Sequence, residues 1–244
     1  MLNHSPENWR MEGGGHCVFA RCPRYFAGIL SKILNGWSIT EACYENMCDL
    51  SATYIDGKYR IDSIVLHEPE MHADIMNALN EFLANLAYIA SGTTHGALLV
   101  HCAGFYEHEK MNIVVGAKNQ GKSALMYKKA REGAEIIADD LMIWAPKVGK
   151  FFALGLPLRL RRPVLTVDGV PANPDNFFAG SGIAYSKNHA YKIAQVGKPF
   201  LLDQLWKLND QFMLNPVSLL QTSGTLRRFI IGAEYTTIRK EKLE

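Results

Sequence analysis

The chain has no long hydrophobic run: its longest apolar tract near the middle, Phe82 to Ala90, is short and interrupted, well under the ~20 residues a membrane helix needs. The opening Met1-Leu-Asn-His-Ser-Pro-Glu has no charged stretch followed by an apolar one, so the expectation is a cytoplasmic protein with no membrane partner. Charge of one sign is also scarce. Lys and Arg total 26 against 24 Asp and Glu, a formal net charge of +2, which argues against nucleic acid as the main partner. Cysteines are few and odd in number: Cys17, Cys22, Cys43, Cys48 and Cys102. Free thiols are expected, not a disulfide framework. The two Cys-x4-Cys pairs beside His16 could be written as a zinc site, but the spacing is wider than a zinc knuckle and Cys43 and Cys48 are expected on a helix, where they would not face one way. There is no internal repeat and no low-complexity segment.

What remains is a globular composition: 244 residues, 48% apolar, enough for one large domain or two small ones. Residues 1–94 read as an N-terminal α+β region. Phe26, Ile29, Leu30, Ile33 and Leu34 mark one face of a helix ending at Asn35-Gly36. Asp56-Gly57 marks a hairpin, with Thr53 and Ile55 before it and Tyr59 and Ile61 after it alternating with polar residues. A longer helix is expected after Pro69, carrying Ile75, Leu79, Phe82, Leu83 and Leu86 and stopping near Ser91-Gly92. Nothing in this region suggests chemistry by itself.

Residues 95–244 carry the motifs. Gly116-Ala-Lys-Asn-Gln-Gly-Lys122-Ser123 fits G-x-x-x-x-G-K-[ST], and it lies between an apolar strand, Ile113-Val114-Val115, and a run of helix formers stopped by Gly133. Glycines let the backbone aim N–H groups at phosphate oxygens, and the helix N-terminus adds positive potential at the same point. Lys122 would pair with the β- and γ-phosphates, and Ser123 would hold Mg²⁺. A second strand, Glu135-Ile-Ile-Ala-Asp139-Asp140, ends in two carboxylates 16 residues after Ser123 (139 − 123), room for one helix and a turn. Beside a γ-phosphate, one carboxylate can hold the metal and its neighbour can accept a proton from an attacking hydroxyl. Upstream, Ala97 to Phe105 reads as one strand carrying His101, joined by the polar tip 106–110 to the strand that feeds the loop.

Downstream, if Pro157 to Arg162 is extended, Arg159 and Arg161 share one face and Leu158 and Leu160 the other. Two guanidinium groups pointing one way could neutralise a γ-phosphate or grip an acceptor carboxylate; a solvated strand face is the plain alternative. Asp168-Gly169 marks a turn, and 173–189 reads as a polar excursion or a loop over the site. A strand is expected at 191–196 and a helix from Phe200 to Phe212. The stretch 226–235 suits either helix or strand, and 239–244 reads as a frayed tail.

The order of strand-His101-Cys-Ala, Gly116-x4-Gly-Lys122-Ser123, helix, Gly133 and Ile-Ile-Ala-Asp139-Asp140 resembles the catalytic core of the HPr kinase/phosphorylase family, closely over Leu98 to Leu141. The resemblance implies an α/β fold with a P-loop kinase core of the HPr kinase C-terminal-domain type and ATP and Mg²⁺ as cofactors. It implies a catalytic set of Asp139 as base, Lys122 on the phosphates and His101 near the transferred group, with Ser123 and Asp140 at the metal. Gly116, Ala117, Lys118, Asn119, Gln120, Gly121, Lys122, Ser123 and Ala124 would bind the nucleotide, and Arg159 and Arg161 the substrate. The sequence departs from the family at Ala124, where Glu is usual, and over Phe151 to Arg159, which replaces an acidic signature, so an acceptor other than HPr is expected, and no phosphorylase activity. The expected function is Mg²⁺-ATP-dependent phosphorylation of a Ser hydroxyl on a peptide or protein, such as a ribosomally made lasso peptide. The alternatives are a small-molecule alcohol kinase and a nucleotide-binding regulator without transfer. Relatives of this kind are often homo-oligomers.

Overall fold

The computed structural model describes residues 3–43, 47–93, 96–161, 166–167, 170–171, 173–209 and 213–231. It is a mixed α/β structure with four α-helices among the described residues, three large sheets and two small ones. No helix among them is long and apolar enough to cross a membrane.

The first region is a six-stranded sheet in the order Ser38–Glu41, Pro6–Gly13, His16–Pro23, Leu50–Ile55, Lys58–Ser63, Glu70–His72. Helices α1 (Arg24–Ile33) and α2 (Ile75–Gly92) cover it. Met11, Val18, Leu50 and Ile61 of the sheet are buried with Phe26, Leu30 and Ile33 of α1 and Leu79, Phe82 and Leu86 of α2, as the helical periodicities predict. The hairpin turns at Asp56-Gly57, both at positive φ, with Ile55 opposite Lys58. The face expected for its first strand is overturned. A two-residue turn pairs Tyr54 with Tyr59 and Ala52 with Ile61, so Leu50 and Ala52 point inward, while Ile55 is exposed. Glu70–His72 adds a strand where the helix was expected to begin. The helix then starts at Ile75, because the Asp74 side chain accepts from the backbone N–H groups of Met76 and Asn77.

The second region crosses chain segments between two five-stranded sheets. One runs Glu135–Ala138, Ala103–Glu107, Lys110–Val115, Gln204–Leu208, Leu214–Pro216; the other runs Pro199–Leu201, Lys150–Phe152, Leu141–Ala145, Leu98–His101, Ile230–Ile231. The single strand expected over 97–105 is therefore two strands in different sheets, broken at Cys102. The stretch 135–145 breaks the same way at Asp139-Asp140. The two breaks lie side by side, with the Cys102 N–H donating to the Asp140 carbonyl at 3.0 Å. The polar tip at 106–110 is a tight hairpin with Glu107 opposite Lys110.

Three further expectations are corrected. The helix expected from Phe200 to Phe212 is two strands, Pro199–Leu201 and Gln204–Leu208. Pairing parallel to Lys110–Val115 won over local periodicity, although 210–212 lies outside the described residues. The excursion at 173–189 holds a hairpin of Phe177–Ala179 and Ile183–Ser186, to which Arg159–Arg161 adds a third strand. Over 191–196 only an isolated bridge forms, Ile193 beside Ile136. Cys43 and Cys48 flank residues outside the description and are not helical themselves. The turn at 168–169 and the tail at 239–244 also lie outside the described residues.

Helix α3 (Lys122–Arg131) follows the glycine loop as expected and buries Met126, Tyr127 and Ala130 against Ala103, Phe105 and Ile136 of the first of these sheets and Leu158 and Leu160. The largest apolar cluster joins α2 to Leu99, Leu141, Ile143 and Tyr185. That packing sets α2 against the second region at the level of the strand breaks.

Candidate active site

A strand leaves each sheet edge with its next side chain pointing wherever the break aims it, and here two breaks and the glycine loop aim theirs at one cleft. The cleft, about 510 Å³, is lined by His101, Lys118, Asn119, Gly121, Lys122, Ser123, Ala124, Asp140, Arg159 and Arg161, with Asn80, Leu160 and Ile231. Of the nucleotide-binding residues expected from sequence, Gly116, Ala117 and Gln120 shape the loop behind this wall. The Gln120 Oε1 accepts from the Ala117 N–H at 2.6 Å. A Cβ on Gly116 would come 2.6 Å from that same oxygen, so a larger residue there would displace the end of the Gln120 side chain from the loop. Gly121 takes φ 87° as the helix N-cap, a conformation open to glycine at little cost.

Lys122 is buried and its Nζ donates to the carbonyl oxygens of Gly116 at 2.8 Å and Ala117 at 3.0 Å. Burial lowers its pKa, opposed by Asp140 and Asp139. The two carboxylates differ sharply. Asp140 accepts from His101 Nε2 at 3.0 Å through Oδ1 and pairs with Arg159 Nη2 at 3.0 Å through Oδ2. Burial pushes its pKa up, but the His101 hydrogen bond and the charges of Arg159, His101 and Lys122 outweigh it, leaving it below the ordinary value.

Asp139 is 4% exposed and does not line the cleft. Its Oδ2 accepts from the Arg159 backbone N–H at 2.8 Å, while its Oδ1 is buried without a hydrogen-bond partner. Burial raises its pKa to about 6 against the lowering effect of the Arg159 N–H, the Arg159 charge and the nearby Ser123 hydroxyl.

Arg159 and Arg161 alternate with buried Leu158 and Leu160 as expected, yet they serve different neighbours. Arg159 Nη1 donates to Asn80 Oδ1 at 2.6 Å, an oxygen that also accepts from the Tyr185 hydroxyl at 3.1 Å. Arg161 reaches back to Asn119 Oδ1 in the glycine loop. Asn80 and Tyr185 were not picked out by sequence reasoning. Asn80 sits in a helix whose other signals are those of packing, and no motif surrounds it.

Ser123 and Asp140 share the cleft wall, and a carboxylate with four lone-pair sites, two of them engaged here, can still take a cation. A hydroxyl and a carboxylate are oxygen ligands of the kind Mg²⁺ takes. Cys17 and Cys22 lie on one strand, one exposed and one buried, so that pair does not share a face. Among the described residues one trio of His, Cys, Asp or Glu ligand atoms lies within 4.8 Å of one another, Glu70, His72 and Glu81. Glu81 in it already accepts from Asn85 at 2.7 Å. In comparisons with known proteins, no family model matches this chain and no curated protein matches it.

Proposed function

We propose that this chain is an ATP- and Mg²⁺-dependent kinase with a P-loop core of the HPr kinase type, transferring the γ-phosphoryl group to a hydroxyl on a peptide or protein. The observation that carries the reading is the split between Asp139 and Asp140 beside a phosphate-loop lysine. Two adjacent carboxylates whose surroundings push their proton affinities apart are suited to different tasks. Asp139, raised to about 6 with one oxygen unpartnered, is ionised at neutral pH yet basic enough to take a proton from an alcohol. Asp140, held anionic by His101 and Arg159, keeps its charge beside Ser123, and these two residues would hold Mg²⁺, which neutralises phosphate charge when bound.

Lys122 exchanges its loop carbonyls for phosphate oxygens, as a cation with three donors can. The loop N–H groups and the start of α3 orient the β- and γ-phosphates. Arg159 and Arg161 add positive charge to the cleft, where charge would build in the transition state. A regulator that merely bound nucleotide would gain nothing from a buried carboxylate of raised proton affinity. The test is calorimetry with Mg²⁺-ATP on wild type and Lys122→Met, which keeps the apolar stem. Losing hydrogen bonds to a charged group costs ~1.5–3 kcal/mol, an affinity loss of roughly 10- to 100-fold. Equal affinity in both proteins overturns the nucleotide site.

A further inference from the structure

Among the described residues that line the cleft, only Asn80 comes from the six-stranded region, on α2. With Arg159 it also lines a narrow adjoining cavity of about 40 Å³, whose walls include Leu83, Ala84 and Tyr185. The Asn80 Oδ1 accepts two hydrogen bonds, from Arg159 Nη1 at 2.6 Å and from the Tyr185 hydroxyl at 3.1 Å. Two donors on one atom fix the amide, because only its oxygen can accept. The helix beneath it is held by Leu79, Phe82 and Leu86, all fully buried. Asn80 is therefore a short side chain on a rigid element, which places a group more closely than a loop does. Asn is a poor helix former, so forming α2 gives no reason for it.

Arg159 needs such a holder. Its side chain is 16% exposed, and Nη2, the other terminal nitrogen, pairs with Asp140 at 3.0 Å. Asp140 is also the carboxylate that would share Mg²⁺ with Ser123, and a cation there competes with Arg159 for its oxygens. The Asn80 amide is outside that competition. Being neutral, it directs the guanidinium without cancelling its charge, whereas a second carboxylate would direct it and neutralise it. We infer that Asn80, backed by Tyr185, is the positioning residue for Arg159, keeping the guanidinium directed and positively charged in the cleft that would hold the γ-phosphate. The assignment rests on the kinase reading above. Tyr185 suits the part, since it lies opposite Arg159 in the antiparallel strand pair and is 3% exposed. The six-stranded region thereby becomes part of the reacting site, through one amide oxygen.

The experiment follows γ-labelled Mg²⁺-ATP with the full chain and a pool of synthetic Ser peptides, counting label on peptide and label released to water. Binding of the non-hydrolysable β,γ-imido analogue of ATP is measured in parallel. Asn80→Ala should lower kcat by roughly 10- to 100-fold, the range that a lost hydrogen bond to a charged group gives, and leave analogue affinity within about twofold. In an Arg159→Met background the same substitution should cost less than about twofold, because Asn80 acts through the guanidinium. Asn80→Asp keeps an accepting oxygen but adds the cancelling charge. It should melt no lower than wild type and still transfer at least about tenfold more slowly, an added barrier of ~1.4 kcal/mol, which a merely structural residue would not show. It decides the matter if Asn80→Ala does not fold in a melting experiment. Three results overturn the positioning role and leave the nucleotide site standing: wild-type kcat in Asn80→Ala or Asn80→Asp, an equal loss with and without the Arg159 side chain, or a wild type that binds the analogue and moves no label. A wild type that binds no analogue overturns the kinase reading itself.

Discussion

The two regions of the molecule treat buried polarity in opposite ways. Among the described residues of the six-stranded region the buried polar side chains are His16, Ser63 and Asn85: His16 meets Thr93 at 2.7 Å, and Ser63 donates to Asn85 at 2.8 Å, which in turn donates to the Glu81 carboxylate at 2.7 Å. Burial lowers the His16 pKa, so this region carries none of its buried polar groups as a charge at neutral pH. In the crossed-sheet region the buried set includes Lys122 and Asp139, and Asp139 keeps an oxygen without a hydrogen bond. Buried ions without full pairing cost stability. The six-stranded region packs beneath the cleft and lends it Asn80, while the crossed-sheet region supplies its buried charged groups.

The largest expected effect tests the second half of that contrast. Asp139→Asn preserves shape but cannot take a proton, and phosphoryl transfer should fall by ~10²- to 10⁴-fold with Mg²⁺-ATP affinity kept, measured by calorimetry and label transfer. Wild-type transfer would remove Asp139 as the base. The first half is tested by Phe82→Ala. Phe82 is fully buried with its ring 5.3 Å from that of Phe26, and truncating such a side chain costs ~3–5 kcal/mol. Thermal melting should register the loss, while nucleotide affinity, measured well below the melting temperature, should stay within about twofold, since less than 0.5 kcal/mol of coupling is usual between separate sites.

A third experiment separates the regions by pH. Asp139 has a folded-state pKa raised from 3.8 to about 6. It therefore favours the fold at acid pH, below its unfolded value, and that contribution is lost as pH rises through about 6. Asp139→Asn should match the wild type in stability near pH 4 and exceed it above pH 7, by an amount on the order of 2–3 kcal/mol. A stability gap that is the same at both pH values would mean that burial does not perturb this carboxyl. The smallest effect belongs to the support: Asp74→Ala removes the cap of α2 and should cost ~1 kcal/mol, with a lowered melting temperature. If it also weakened phosphoryl transfer, α2 would be coupled to the chemistry through Asn80 and not merely packed beneath it.

Much of this architecture was legible along the chain wherever the cause was local. The face Phe26-Ile29-Leu30-Ile33 marked α1, Asp56-Gly57 marked a hairpin, and the glycine loop between a strand and α3 lies where its pattern requires. The loop's geometry depends on residues within eight positions of each other, so eight residues suffice to announce it. The failures were non-local. Ala97 to Phe105 reads as one strand because each residue in it suits a strand. Its division at Cys102 depends on Asp140, a hydrogen-bond partner 38 positions away (140 − 102). Phe200 to Leu208 has helical spacing, yet Phe200 and Leu201 pair with Lys150–Phe152 while Gln204 onward pairs with Lys110–Val115 in the other sheet.

The sequence by itself determined that a glycine loop between strand and helix, a carboxylate pair and alternating arginines exist, because those follow from residue identity and short spacing. Which carboxylate is paired and which is left with an unmet oxygen was decided by the tertiary structure. So was the arrival of Asn80 from a helix some forty residues upstream of the loop, and the partition of the site into a wide cleft and a narrow cavity. The physical reason is that desolvation and hydrogen-bond satisfaction are properties of the space around an atom, and that space is assembled from segments which the chain order keeps apart.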